Sequence, residues 1–230
     1  MKEQRSNPVK KNDADRQTAA HLPARYLLFG ISLCIMAMGV ALSIKADLGT
    51  SPISSFPYVT SCLSGMSVGT TTIILNCVFV LIQILLLRKR YQWIQLLQIP
   101  AVIFFGLMID ICGGLLKGVT YGSYPEQWLL CIAGILLVGF GVGIEVMAGV
   151  VTTAGEGLVL AICQVLPVKF GNAKIAFDVT LVCLSVLTAL LAAGEVEGVR
   201  EGTAAAAVFV GLTAKKTGKI LQPFAQRYLA

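Results

Sequence analysis

The sequence predicts an all-α membrane protein: six transmembrane helices plus two short re-entrant or interfacial helices, arranged as an internal, inverted two-fold repeat. Three observations lead there. Apolar residues make up 56% of the 230-residue chain and charged residues only 13%, with a mean hydropathy of +0.80. A soluble domain of this size needs far more charge to cover its surface. The charges cluster, with nine of 30 in residues 1–25, three in Arg88-Lys89-Arg90, four in Glu195–Glu201 and four from Lys215 to Arg227. Between the clusters run apolar stretches of the ~20 residues that ~30 Å of hydrocarbon requires. Finally, the chain repeats itself.

A shift of 102 residues brings Gly39-Val40 onto Gly141-Val142, Ala46 onto Ala148 and Thr50-Ser51 onto Thr152-Thr153. The same shift places Gly69 on Gly171, Ile73 on Ile175 and Leu85 on Leu187, and sets Asn76 opposite Asp178 and Ser54 opposite Glu156. At a shift of 105, Phe105-Gly106-Leu107 aligns loosely with Val210-Gly211-Leu212. Each unit begins with a long apolar run (26–45; 127–148), followed by a Gly/Thr/Ser break (49–55; 149–157). A short segment comes next (52–64; 154–167), then a second long run (70–87; 173–193) and a third (94–116; from 202).

The organisation that follows is a disordered cytoplasmic tail over 1–24, a first membrane repeat over 25–125, a second over 126–222, and a cytoplasmic tail over 223–230. The first apolar run is too long, and lacks a small-residue cleavage site, for a signal peptide. With the N-terminus cytoplasmic and three spans per repeat, Arg88–Arg90, Lys169, Lys174 and the Lys215–Arg227 end all fall inside, as the positive-inside rule asks. Three is an odd number, so the halves are inverted. An eight-helix version with parallel repeats, in which the short segments cross, stays open at this point. The site of such a protein is the bacterial plasma membrane, with both termini cytoplasmic.

Composition also excludes functions. The seven cysteines stand singly in apolar runs and the one histidine, His21, lies in the tail. No CxxC or Cys/His ligand spacing exists, so neither metal nor cofactor is expected. The net charge of +6 reflects topology determinants rather than a nucleic-acid surface. Nothing resembles a nucleophile–base pair, a P-loop or a dinucleotide fingerprint, and no enzyme is expected. Trp93, Trp128, Tyr26, Tyr91, Tyr121 and Tyr124 fall at run ends and read as an aromatic belt. Gly39, Gly139, Gly141 and Gly143 imply close helix packing.

Candidate chemistry gathers at the two breaks. Ser51 suits an N-cap and Pro52 the first helical position, while Thr153 to Glu156 has capping-box spacing. A helix N-terminus in the membrane offers free N–H donors and the positive end of a dipole. Discontinuous helices paired across an inverted repeat form transporter sites at the repeat interface. The expected substrate ligands are therefore Thr50, Ser51, Ser54, Asn76, Thr152 and Thr153. Intramembrane acids are costly unless compensated, which makes Glu156 and Asp178 the expected ion-coupling pair. Plainer roles are a capping glutamate for Glu156, an i,i+4 ion pair with Lys174 for Asp178, and an interfacial position for Glu145. Asp110 and Lys215 occupy equivalent repeat positions and could pair across the pseudo-symmetry.

Gly49-Thr50-Ser51-Pro52 with Ser54-Ser55, and Thr152-Thr-Ala-Gly-Glu-Gly157, each followed by Gly69-Thr or Gly171-Asn and an apolar run, resemble the YitT/YczE-type family of small bacterial membrane proteins. The resemblance covers about residues 25–220 and lies nearer the shorter YczE-like branch, because no soluble C-terminal domain follows. It implies membrane class and repeat architecture and assigns no function. The functional expectation is thus a transporter or permease for a small polar, possibly anionic, molecule. Two alternatives stand beside it: a non-transporting scaffold or assembly factor, and the membrane substrate-binding subunit of a multi-component transporter. A small-molecule substrate and the lipid bilayer are the expected partners, nucleic acid is not, and a homo-oligomer is compatible.

Overall fold

The computed structural model describes residues 22–194 and 198–228, so residues 1–21 of the expected tail over 1–24, with His21, and Glu195 and Glu197 lie outside the described residues, while 22–24 already belong to the first helix. The described chain forms eight α-helices joined by turns and short 3-10 segments. In chain order they are α1 (Leu22–Ala46), α2 (Pro52–Ser64), α3 (Val68–Leu87), α4 (Gln98–Leu115), α5 (Tyr124–Ala148), α6 (Ala154–Val165), α7 (Phe170–Ala193) and α8 (Glu201–Tyr228).

Local chemistry sets the boundaries. Past α1, Asp47 (φ 55) and Gly49 (φ 96) take left-handed backbone that a helix cannot continue through. Ser51 is the N-cap of α2 and Pro52 its first residue, as the sequence predicts. Gly65 closes α2 and Gly149 closes α5, both in the αL conformation. Ser67 caps α3, accepting the Thr70 N–H at 3.1 Å.

Five segments are long and apolar enough to cross a membrane: Leu22–Ala46, Val68–Arg90, Trp93–Gly118, Tyr124–Ala148 and Phe170–Ala192. The sixth expected span is α8. It is long enough, but Lys215, Lys216 and Lys219 charge its second half, and it does not meet the apolar requirement. It also continues helical through Pro223, past the expected boundary at 222. Large apolar side chains point outward along the bundle, with Leu85, Leu107, Leu129, Ile175 and Leu191 all more than half exposed. Such a surface is unsuited to water and suited to lipid.

Small residues let the helices meet. A Cβ on Gly39 would stand 2.7 Å from the Gly134 carbonyl oxygen and the Val138 nitrogen, and one on Gly141 would stand 2.9 Å from the Ser32 carbonyl oxygen. α1 and α5 therefore cross antiparallel at van der Waals distance, the arrangement that drives helix association in lipid. The 102-residue shift carries 39 to 141, 32 to 134 and 36 to 138, so the crossing maps onto itself. Gly139 abuts Val210 and Thr213, and Gly143 abuts Ala214 and Thr217, which makes α5 and α8 parallel. Phe29 and Leu33 pack near Ala101 and Phe105, and Val40 and Ala41 near Ile109 and Cys112, so α1 and α4 are parallel too.

These directions fix what the short helices do. α3 runs antiparallel to α4, since Gly69 lies against Gly106 and Gln83 bonds Gln98. The end of α1 and the start of α3 thus share one end of the bundle, and α2 returns to the end it left. α6 behaves likewise, its Ala161 packing beside Leu87 and Tyr91 at the opposite end. α2 packs on α7 of the second half, and α6 on α3 of the first.

Two expectations are corrected. Tyr91 is buried, 9% exposed, instead of standing in an aromatic belt, because α6 covers it. Asp110 does not meet Lys215: its Oδ2 accepts the Ser67 hydroxyl at 2.6 Å and its Oδ1 the Gly69 N–H at 2.8 Å, capping α3.

Candidate functional site

The starts of α2 and α6 converge. A Cβ on Gly155 would clash with Ile53, which places the two N-terminal turns side by side at the centre of the bundle. Around them lies a cavity of about 290 Å³, at the lower edge of the usual ligand-pocket range. Seven of the eight expected site residues line it: Ser51, Ser54, Asn76, Thr152, Thr153, Glu156 and Asp178. Thr50 does not; it is 1% exposed and its hydroxyl turns to the Ser51 carbonyl at 3.4 Å. Phe29, Leu33, Phe105 and Val142 supply apolar wall.

The polar groups are held by short bonds. Ser51 Oγ donates to Ser54 Oγ at 3.0 Å rather than capping the helix, so the first-turn N–H groups of α2 have no side-chain cap. Asn76 Nδ2 donates to the Thr72 carbonyl one turn back at 2.8 Å, which fixes its amide in the wall. Lys174 Nζ and Asp178 Oδ1 form the expected i,i+4 ion pair at 2.6 Å, so the charge of Asp178 is already matched within its own helix.

The capping box expected of Thr153 and Glu156 does not form. Thr153 has no side-chain cap bond, and its N–H donates instead to Glu145 Oε1 at 2.8 Å. Glu145 reaches it from the last turn of α5, which leaves the Glu156 carboxyl free to stand in the cavity wall. Nor is Glu145 interfacial: it is 3% exposed.

Sequence reasoning missed Gln83 and Gln98. Both are buried, at 0% and 1% exposed. Gln83 Nε2 donates to Gln98 Oε1 at 3.1 Å and to the Ala154 carbonyl at 3.0 Å, and so fixes the first residue of α6. Gln98 continues into the cavity wall. The signal available was a glutamine inside an apolar run, which in lipid has to find a partner.

Two seams that the sequence shifts of 102 and 105 relate differ. Gly69 and Gly106 touch, locked by Asp110. A Cβ on the corresponding Gly171 or Gly211 would meet nothing within 4 Å. The cavity extends between α7 and α8 along Lys174, Asp178, Gly211 and Ala214.

Outward apolar helices, inward small-residue contacts and a central cavity define a multi-pass helical membrane protein. The chain belongs to the family of unknown function designated DUF6198, whose pattern matches residues 23–219. It is similar to the uncharacterized membrane protein YczE of Bacillus subtilis, 28% identical over 144 residues, covering 62% of this chain and 65% of that protein. YyaS of the same organism is 27% identical over 139 residues, covering 60% of this chain and 68% of YyaS. An uncharacterized Haemophilus influenzae protein is 25% identical over 167 residues, covering 73% and 72%. The chain thus spans about two thirds of the length of these relatives. The YczE-type resemblance read from the two break motifs stands. No solved structure matches.

Proposed function

We propose that the protein is a transporter for a small polar molecule with an anionic group, built from two inverted three-span units, each with one short returning helix. The observation that carries it is the meeting of two helix N-termini, at Ser51 and Thr153, on one central cavity, neither capped by the side chain of its own N-cap residue. Their N–H groups and dipole ends favour negative charge.

Contacts that exchange under the 102-residue shift support the repeat. Residues 55 and 185 meet, as do 157 and 83, and each pair becomes the other. In this reading α8 is the sixth span. Its cations lie at the end that also carries Arg88–Arg90, Lys169 and Lys174, which is the cytoplasmic end by the positive-inside rule. The closed seam at Gly69 and the open one at Gly171 are the asymmetry that rocking one unit against the other would exchange.

A cavity of this size with polar side chains in its wall disfavours a pure scaffold, whose interface would be solid. The test is a thermal-shift screen of small carboxylates and phosphate esters on the purified full chain, followed by uptake into proteoliposomes. A specific ligand stabilises by mass action. Ser54→Leu with Asn76→Leu, which fills the cavity, should abolish both the shift and the uptake. A screen without any hit that this double variant loses would sink the reading.

A further inference from the structure

Among the described residues, no cation is hydrogen-bonded to the carboxyl of Glu145. Its Oε1 accepts the Thr153 N–H, but Oε2 is buried and has no hydrogen-bond partner. A second cavity, of about 200 Å³, lies against it and is bounded by Gly149, Val150, Thr152 and Glu156. Glu156 stands in the wall of both cavities. Glu145 also sits in the last turn of α5, where the negative end of the helix dipole adds to the two carboxyls. Two acids lining one cavity, one of them only 3% exposed, call for positive charge between them.

We propose that Glu145 and Glu156 form a monovalent-cation site, taking a proton or a sodium ion, beside the substrate cavity. The proposal rests on the transport reading and names its coupling site: Glu145 replaces Asp178, whose charge Lys174 already matches.

The other charged groups nearby leave the need unmet. On α7, the single charge of Lys174 is paired with Asp178 and also acts on Glu156, so one cation faces two acids there before Glu145 is counted. α1 carries Arg25 toward this end, and α8 carries Lys215, Lys216 and Lys219 on its exposed face. α4 has its acid, Asp110, at the opposite end, bonded to Ser67 and Gly69. None of these donates a hydrogen bond to Glu145 Oε2. Among the described residues no three His, Cys, Asp or Glu side chains group as a metal site. A cation here would take its other ligands from the non-helical backbone at 149–153 and from hydroxyls, which suits sodium better than a divalent ion.

The test is thermal unfolding of the detergent-purified full chain with no substrate present. In one arm sodium chloride replaces choline chloride at constant pH and ionic strength; in the other the pH falls from 7.5 to 5.5 without sodium. A cation at about ten times its Kd should raise Tm by about 3–6 °C in the wild type. Glu145→Gln should lose that rise. A sodium response selects sodium as the ligand, and an acid response without sodium selects the proton. Glu156→Gln, read in parallel, should need at least about tenfold more cation for the same shift, and it serves if Glu145→Gln does not fold. Responses identical to wild type in both variants overturn the site. An uptake assay that finds no substrate leaves this result untouched, so the two readings fail separately.

Discussion

Ser55 and Ser185 bring their hydroxyl oxygens to 2.9 Å across 130 positions of sequence, both fully buried. The pair ties α2 of the first half to α7 of the second. Each hydroxyl also bonds a backbone carbonyl of its own helix, Pro52 for Ser55 and Leu181 for Ser185, each at 2.7 Å. Two protons cannot fill three bonds, so one hydroxyl switches between partners. Ser185→Ala should therefore cost only about 1 kcal/mol, because Ser55 keeps its backbone acceptor. Ser185→Leu should cost about 1–3 kcal/mol beyond that through overpacking. Denaturant unfolding in detergent reads both; equal stability of the two variants would show that the helices are not close here.

The 102-residue shift carries Ser55 onto Gly157, which packs on Gln83. A Cβ there would stand 2.7 Å from Gln83 Oε1 and 2.8 Å from Gln98 Nε2. Neither amide can retreat without losing the bonds that fix Ala154. Gly157→Ala should thus destabilise by about 2–3 kcal/mol, the penalty of leaving buried polar groups unpaired. Gly30 supplies the comparison: it lies mid-helix, and an added Cβ meets nothing within 4 Å. Gly30→Ala should be neutral or stabilising by up to about 1 kcal/mol. The two variants, measured side by side by thermal unfolding, separate steric closeness from helix propensity.

Much of this arrangement was legible in the sequence, because in lipid the composition has few other uses. Apolar run lengths gave the helices, and Gly49 to Pro52 and Gly149 to Thr153 gave both breaks. The glycines at 39, 139, 141 and 143 lie at helix contacts as their spacing implied. What escaped depended on partners distant in sequence. Thr153 and Glu156 have capping-box spacing, yet Glu145 takes the Thr153 N–H from another helix. Tyr91 reads as interfacial until α6 covers it. Gln83 and Gln98 look like isolated polar residues in apolar runs, and only tertiary packing makes them a pair.

Lys174 and Asp178 are each about one quarter exposed and share the cavity wall with Glu156. Lys174→Gln leaves two acids facing the cavity without their cation, whereas Lys174→Gln with Asp178→Asn removes one charge of each sign. The single variant should be the less stable of the two, and the double-mutant cycle should give a favourable coupling of about 1 kcal/mol. Raising the salt concentration should shrink that coupling, since a partly exposed pair is screened. A coupling indistinguishable from zero at low salt would mean that the lysine does not hold Asp178.

Asp110 accepts from Ser67 and Gly69 at the point where α3 and α4 close, while the corresponding Gly171 and Gly211 stand apart. If these two seams exchange during transport, the carboxylate is a clasp on one state. Asp110→Ala removes both bonds, and hydrogen bonds to a charged acceptor contribute about 1.5–3 kcal/mol, enough to raise the population with this seam open by about tenfold or more. Thr72 reports it, since it is 6% exposed and lines the cavity behind the seam. In a chain whose seven native cysteines are replaced, Thr72→Cys should react with a membrane-impermeant thiol reagent about tenfold faster when combined with Asp110→Ala. Asp110→Asn should fall between, because its amide oxygen can still accept the Gly69 N–H. At the other end, a Gly171→Cys and Gly211→Cys pair should cross-link more readily in the Asp110→Ala background, as that seam closes. Faster labelling without increased cross-linking would describe a loosened helix pair; both changes together would describe two seams coupled through one rocking motion.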